Sequence, residues 1–285
     1  CEHLAQIDLL GAIGIFGVTY GATIAGDGSG GHLRLMEARH PVLMAGLRAR
    51  GAESIPLTLE MPALGGALVL SGPNAGGKTV ALKTIGLLAL MNQAGLPVTA
   101  REAVVPVFRQ VLADIGDHQS ILESLSTFSA RMVRVAAMIR GLECPALVLL
   151  DEVGAGTDPA EAGALAVAIV DYFRRNGAAV VVTTHHTALK DYAETASTAS
   201  NASMEIDEET MRPTYRLMSG VAGRSGGVDL AERVGLPPEG LADARQRLSS
   251  GHRETGEYAA RLQSLGDEKE RELERLRQER ESLEQ

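Results

Sequence analysis

Three stretches predict an α/β fold whose centre is a mostly parallel sheet. Residues 65–88 read as a short apolar strand, a glycine-rich turn and an apolar helix. Residues 146–150 (Ala-Leu-Val-Leu-Leu) and 178–184 (Ala-Ala-Val-Val-Val-Thr-Thr) are continuous apolar runs of strand length. Such runs suit strands covered on both faces, and the helical patterns at 129–141 and 161–174 alternate with them, as in a parallel sheet flanked by helices. A sheet of this kind binds its ligands at the carboxyl edge of its strands.

The remaining elements follow in chain order. In residues 2–17, Leu4, Ile7, Leu10, Ile13 and Ile15 fall mostly at helical spacing with few charges, which predicts a helix entering the domain. After the glycine-rich break at 26–31, residues 33–43 alternate in the manner of an edge strand that stops at Pro41, and 54–59 continue as strand. The helix after the glycine-rich turn ends near Gly95-Leu96-Pro97. Strand-like segments at 103–108 and 111–117 come next. Residues 199–217 predict an antiparallel subsheet turning near Asp207-Glu208-Glu209, and 228–234 and 241–248 predict two short helices around Gly235-Leu236-Pro237-Pro238. From 256 onward Glu, Arg and Gln dominate, with leucines at 262, 265, 273, 276 and 283. That spacing fits a coiled coil with a stutter near Asp267 and equally a solvated single helix.

Composition narrows the function. The chain has 285 residues, a formal net charge of -9 and 3% aromatic residues, which argues against a broad basic, stacking surface for nucleic acid within it. Its two cysteines, Cys1 and Cys144, are far apart and suit reduced thiols. No signal peptide and no apolar run long enough to span a bilayer are expected, so the reading is a cytoplasmic protein with no membrane partner. The chain begins with Cys, inside a helical pattern, and ends in a charged helix; a fragment of a longer protein is the expectation.

The chemistry centres on residues 72–79, Gly72-Pro73-Asn74-Ala75-Gly76-Gly77-Lys78-Thr79, a complete G-x-x-x-x-G-K-[ST] phosphate loop between a strand and a helix that begins with Val80. Backbone N–H groups and the helix N-terminus converge there on a polyphosphate; Lys78 would neutralise the β- and γ-phosphates and Thr79 would ligate Mg²⁺. Asp151 and Glu152 end the apolar run at 146–150; in that setting Asp151 could hold Mg²⁺ through water and Glu152 could orient and deprotonate an attacking water. His185 and His186 follow the second run, and by spacing either could face the γ-phosphate. Ser126, within the hydroxyl-rich stretch 124–129 before a helix, is a weak second phosphate contact on its own, because Ser and Thr cap most helices. The turn at 154–159 reads as a simple loop.

Taken together these residues resemble the ATPase domain of the MutS family. The resemblance rests on GPNAGGKT at 72–79, GDHQSILESLSTFS at 116–129, LLDEVGAGTDPAEAGALAVAI at 149–169, TTHH at 183–186 and YRLMSGVAGRSGGVDLAERVGLP at 215–237. Within the family STFS and GAGTDP are similar to the second bacterial paralogue, the branch that bears an Smr nuclease. The resemblance implies an ABC-type P-loop ATPase that binds ATP and Mg²⁺ and works as a homodimer with composite sites. It assigns Gly72, Asn74, Gly77, Lys78 and Thr79 to phosphate and metal, Asp151 and Glu152 to metal and water, His185 to the γ-phosphate, Ser126 to the partner's nucleotide, and the stretch with His40 and Pro41 to the adenine. It also implies a division into the end of a lever helix at 1–20, the ATPase domain at 21–215, a helix-turn-helix dimerisation segment at 216–250 and a charged helix or linker from 251. Departures at His186, Val221-Ala222 and Gly226-Gly227 bear on dimer packing. The implied partners of the parent protein, branched DNA and recombination intermediates or a stalled ribosome, would be met outside these residues, as would endonuclease activity.

Overall fold

The apolar runs become the middle of a six-stranded sheet. In spatial order it holds β5 (Gln110–Asp114), β6 (Ala146–Leu150), β7 (Ala179–Thr183), β3 (Ala67–Ser71), β8 (Ala199–Ile206) and β9 (Pro213–Ser219). The first five strands run parallel, and β9 returns antiparallel to β8. Every residue of β3, β6 and β7 is buried, which is why these strands carry no polar alternation. The computed structural model describes residues 2–28, 30–116, 127–207, 210, 212–223 and 235–243.

Successive side chains along a strand serve opposite faces. Leu68, Leu70, Leu147, Leu149 and Val181 pack with Leu82, Ile85 and Leu88 of α3 (Lys78–Gln93) and with a second sheet. That sheet is antiparallel, in the order β2 (Leu57–Pro62), β1 (His32–Ala38), β4 (Glu102–Val104), and contributes Leu33, Leu35 and Leu59. Val69, Val148, Leu150, Val180 and Val182 face the other way. They pack with Val135 of α4 (Thr127–Arg140), Val170 and Phe173 of α5 (Pro159–Arg175) and Leu189 of α6 (Thr187–Thr195). Each such Leu or Val contributes roughly 1.5–3 kcal/mol by burial.

Two expectations change. Residues 33–43 do not form an edge strand: β1 lies between β2 and β4, its alternation reflects one face on the core, and Pro41 opens the helix α2 (Pro41–Arg48) with His40 as its N-cap. The expectation that no segment could span a bilayer also fails. Helix α1 (Glu2–Tyr20) is long and apolar enough by length and composition, because glycine, alanine and valine fill the gaps between the residues that set its periodicity. Its C-terminal half lies on the domain through half-buried Ile13, Phe16, Gly17 and Tyr20, at i, i+3, i+4 and i+7, while Arg48 donates to Thr19 O at 3.3 Å. Strand β9 runs across residue 215.

By its contacts the chain divides into residues 1–225 and 226–285. In the second unit residues 238–243 are helical, starting just after Pro237, whose carbonyl accepts from Gly240 and Leu241. The predicted helix at 228–234 and the charged tail lie outside the described residues.

Candidate active site

Strands β6, β7 and β3 are neighbours, so their carboxyl ends bring Asp151-Glu152, Thr183–His185 and the phosphate loop to one edge. The loop leaves β3 at Ser71 and makes a single 3-10 turn at Asn74–Gly76, closed by Gly76 N donating to Pro73 O at 3.0 Å. Gly77 then takes φ 94°, a left-handed conformation that places it as N-cap of α3; a side chain there would be strained and would meet the Tyr215 ring at 3.3 Å. Ala75, Gly77, Thr79 and Val80 line a cavity of about 510 Å³ beside the loop.

Lys78 opens α3 and is 2% exposed. Its Nζ donates to the carbonyls of Gly72 (2.7 Å) and Pro73 (3.1 Å) and lies 3.3 Å from His185 Nε2. Burial lowers its pKa, the carboxylates of Glu152 and Asp151 oppose that shift, and Lys190 adds to it. The ammonium therefore rests desolvated on neutral carbonyls, where charged phosphate oxygens would be stronger acceptors.

Thr79 Oγ1 donates to Asp151 Oδ2 at 3.0 Å, and Thr183 Oγ1 donates to Asp151 Oδ1 at 2.6 Å. Asp151 is 7% exposed and both its oxygens are taken, so its carboxylate has one orientation. Among the described residues no group of three or more His, Cys, Asp or Glu could hold a metal unaided. A hydroxyl and a carboxylate in contact do fit Mg²⁺, which is held through one or two carboxylates together with phosphate oxygens and water.

Glu152 has φ 53°, a left-handed backbone that costs a non-glycine residue roughly 1–2 kcal/mol. Its N–H donates to Thr183 Oγ1 at 2.8 Å and its carbonyl accepts from Arg131 Nη1 at 2.8 Å, so both backbone groups are held by side chains. Its Oε1 lies 2.9 Å from His185 Nε2. Nε2 donates to Glu152 in one tautomer and accepts from Lys78 in the other. Gly154, at φ 94°, completes the turn; a Cβ there would sit 2.6 Å from Ala162 O in α5. The rest of that turn is structural, since Asp158 caps α5 by accepting from Ala160 N at 2.9 Å.

Of the two histidines, His185 reaches Lys78 and Glu152. His186 is the N-cap residue of α6, its N–H bonded to Thr184 Oγ1 at 2.9 Å. His40 lines the cavity and caps α2 through Nδ1, accepting from Leu43 N at 3.4 Å; burial, then Lys83, hold its pKa below the usual value. Pro41 is buried and lines a separate groove, with Phe16 and Tyr20 of α1. Ser126 lies outside the described residues, as does the Asn74 side chain.

Several site residues have no sequence signal of their own. Thr183 joins Asp151 to the Glu152 backbone; Met204 and Tyr215, from β8 and β9, complete the cavity wall. Lys190, 8% exposed, donates to Gly223 O at 2.7 Å, and Gly223 N donates to Ser71 Oγ at 2.7 Å, which fastens the segment after β9 to the strand that precedes the phosphate loop.

Comparison with known proteins gives these contacts a family. The family profile described as MutS domain V matches residues 68–250. The chain is similar to the protein named endonuclease MutS2 of Symbiobacterium thermophilum, 45% identical over 249 residues, covering 87% of this chain and 30% of the relative. The protein of that name from Exiguobacterium sibiricum is 42% identical over 263 residues (92% and 33%), and that of Geobacillus kaustophilus is 44% identical over 250 (87% and 31%). The chain thus spans about a third of the length of the curated relatives it matches. With a phosphate loop, an acidic strand end and a histidine brought to one sheet edge inside the matched region, this chain belongs to the MutS family and carries its ATPase domain, domain V.

Proposed function

We propose that this domain is an ABC-type ATPase that binds ATP with Mg²⁺ and hydrolyses it. The observation that carries the reading is the contact of Thr79 with Asp151, locked by Thr183, beside a Glu152 carboxylate 2.9 Å from His185. Bound Mg²⁺ supplies charge neutralisation for the phosphates, with Thr79 and Asp151 as its protein ligands. Lys78 leaves its loop carbonyls for the β- and γ-phosphates. Glu152 orients the attacking water and accepts its proton, and the His185 imidazole bonds a γ-phosphate oxygen or that water. The base fits the cavity that His40, Val80 and Tyr215 line.

The site is composite in this reading: two copies pair, and Ser126 of each reaches the nucleotide of the other. ATP turnover then drives a clamp in the longer protein that engages branched DNA or a stalled ribosome, through regions beyond this chain. The relatives are named endonucleases, and that activity too is assigned to regions beyond it.

The test is single-turnover hydrolysis with Mg²⁺ across protein concentration. Hydrolysis whose rate constant rises with concentration is expected. Tight ATP binding with no hydrolysis at any concentration would overturn the reading in favour of a nucleotide-switched dimerisation module.

A further inference from the structure

Glu152 is held by a residue that its proposed chemistry does not use. Its left-handed backbone exposes the carbonyl to α4, where Arg131 Nη1 donates to it at 2.8 Å. Arg131 is 8% exposed, and its Nε lies 2.9 Å from Asp114 Oδ2, an ion-pair contact. The other oxygen, Asp114 Oδ1, accepts from Arg134 Nε at 2.7 Å. Asp114 ends β5, and its own carbonyl accepts from Asp151 N at 2.9 Å. One buried guanidinium therefore spans a helix, the end of β5 and the residue that follows Asp151. Arginine suits this place because its extended guanidinium can donate to a carbonyl at one end while its charge lies against a carboxylate at the other.

We propose that Arg131 is a positioning residue for Glu152: it fixes the strained backbone from which the carboxylate is aimed and makes that aim depend on the seat of α4. The inference rests on the reading of Glu152 as the carboxylate that orients water. Two side chains hold the Glu152 backbone, and within the turn Ala155 N also donates to its carbonyl at 3.2 Å. Thr183 secures its N–H from within the sheet, and Arg131 secures its carbonyl from α4. Loss of Arg131 leaves the carbonyl only the longer bond from Ala155 N of the same turn, so the turn can shift as a unit and swing the carboxylate while Lys78, Thr79 and Asp151 keep their contacts. Arg131 should thus act on kcat and leave nucleotide affinity alone. A misplacement of about 1 Å can slow a positioned step by about 100-fold.

The experiment compares Arg131→Met, Arg131→Lys, Arg134→Met and Glu152→Gln in the intact protein, measuring kcat, ATP affinity and Tm for each. Arg131→Met should lower kcat by about tenfold or more, with ATP affinity within about twofold of the parent. Arg131→Lys, which keeps one donor and the charge, should recover part of the loss. Arg134→Met removes only the outer arm on Asp114 and should leave kcat near the parent value, so it separates aim from helix stability. Adding Arg131→Met to Glu152→Gln should slow turnover no further. Equal losses in Arg131→Met and Arg134→Met, or a normal kcat in Arg131→Met beside an inactive Glu152→Gln, overturn the proposal. Should Arg131→Met fail to fold, a kcat for Arg131→Lys equal to that of the parent overturns it. Normal turnover in Glu152→Gln would instead remove the reading on which it rests.

Discussion

On the phosphate side of the cleft Lys78, Thr79, Asp151, Glu152, Thr183 and His185 are wired to one another or to nearby carbonyls, whereas the base side is a cavity of about 510 Å³ walled largely by Ala38, Leu43, Leu47, Leu57, Val80 and Met204. The difference follows from what each side must do. Buried charges need partners at all times, so the polar groups hold each other here, and on the proposed reading phosphate would displace some of those bonds. An apolar wall needs none and can stay open, shaped by backbone and packing. Affinity and rate should then depend on the phosphate side far more steeply, and choice of base on the cavity.

The largest expected effect on affinity is that of Lys78→Met, which removes the proposed charge under the phosphates and should lower affinity for any nucleoside triphosphate by about 100-fold. An equilibrium titration with ATP and GTP checks it; a loss confined to one base would break the division between the two sides. Next comes Thr183→Val, nearly the same shape without the hydroxyl. It frees one Asp151 oxygen and leaves Glu152 N–H without its acceptor. Turnover should fall by about tenfold and the Mg²⁺ concentration needed for half-maximal rate should rise; an unchanged Mg²⁺ dependence would contradict the lock.

On the other side, Tyr215→Ala opens the cavity wall and should weaken ATP binding only a few-fold, by about 1 kcal/mol or less, while narrowing the preference for ATP over GTP. A loss as large as that of Lys78→Met would erase the contrast. The smallest effect concerns His40, whose pKa is lowered by burial and then by Lys83. A lowered pKa in the folded state means that the unfolded chain takes up the proton first. The stability contributed by neutral His40 is therefore present above the ordinary imidazole value of 6.5 and is lost as pH falls toward the lowered folded value. His40→Asn keeps a capping acceptor and does not titrate, so the fall in Tm below pH 6.5 should be shallower than in the parent; an identical slope would contradict this.

What could be read from the chain follows from whether the feature is local. The phosphate loop is continuous in sequence, and β3, β6 and β7 are apolar throughout, so loop, strands and Asp151-Glu152 were legible. Thr183, Arg131 and Tyr215 were not, because their roles depend on strand order: only when β7 lies between β6 and β3 does the Thr183 hydroxyl fall between Asp151 and Glu152. Spacing left His185 and His186 open, since neighbouring residues at a strand end point to different sides and nothing in the sequence says which side holds the loop. Pro41 misled, because the same proline that ends β1's extension opens α2. In α1 the leucines and isoleucines at helical spacing are visible in the sequence, whereas its apolar character over 19 residues depends on the small residues between them.

The central claim is that the wired side of the cleft performs hydrolysis. Glu152→Gln tests it most directly, because it keeps the shape and loses the base. ATP affinity and single-turnover hydrolysis should be measured on the same preparation. The account predicts ATP binding within a few-fold of the parent and hydrolysis slowed by about 100-fold or more. Hydrolysis at the parent rate, with ATP bound normally, would contradict it.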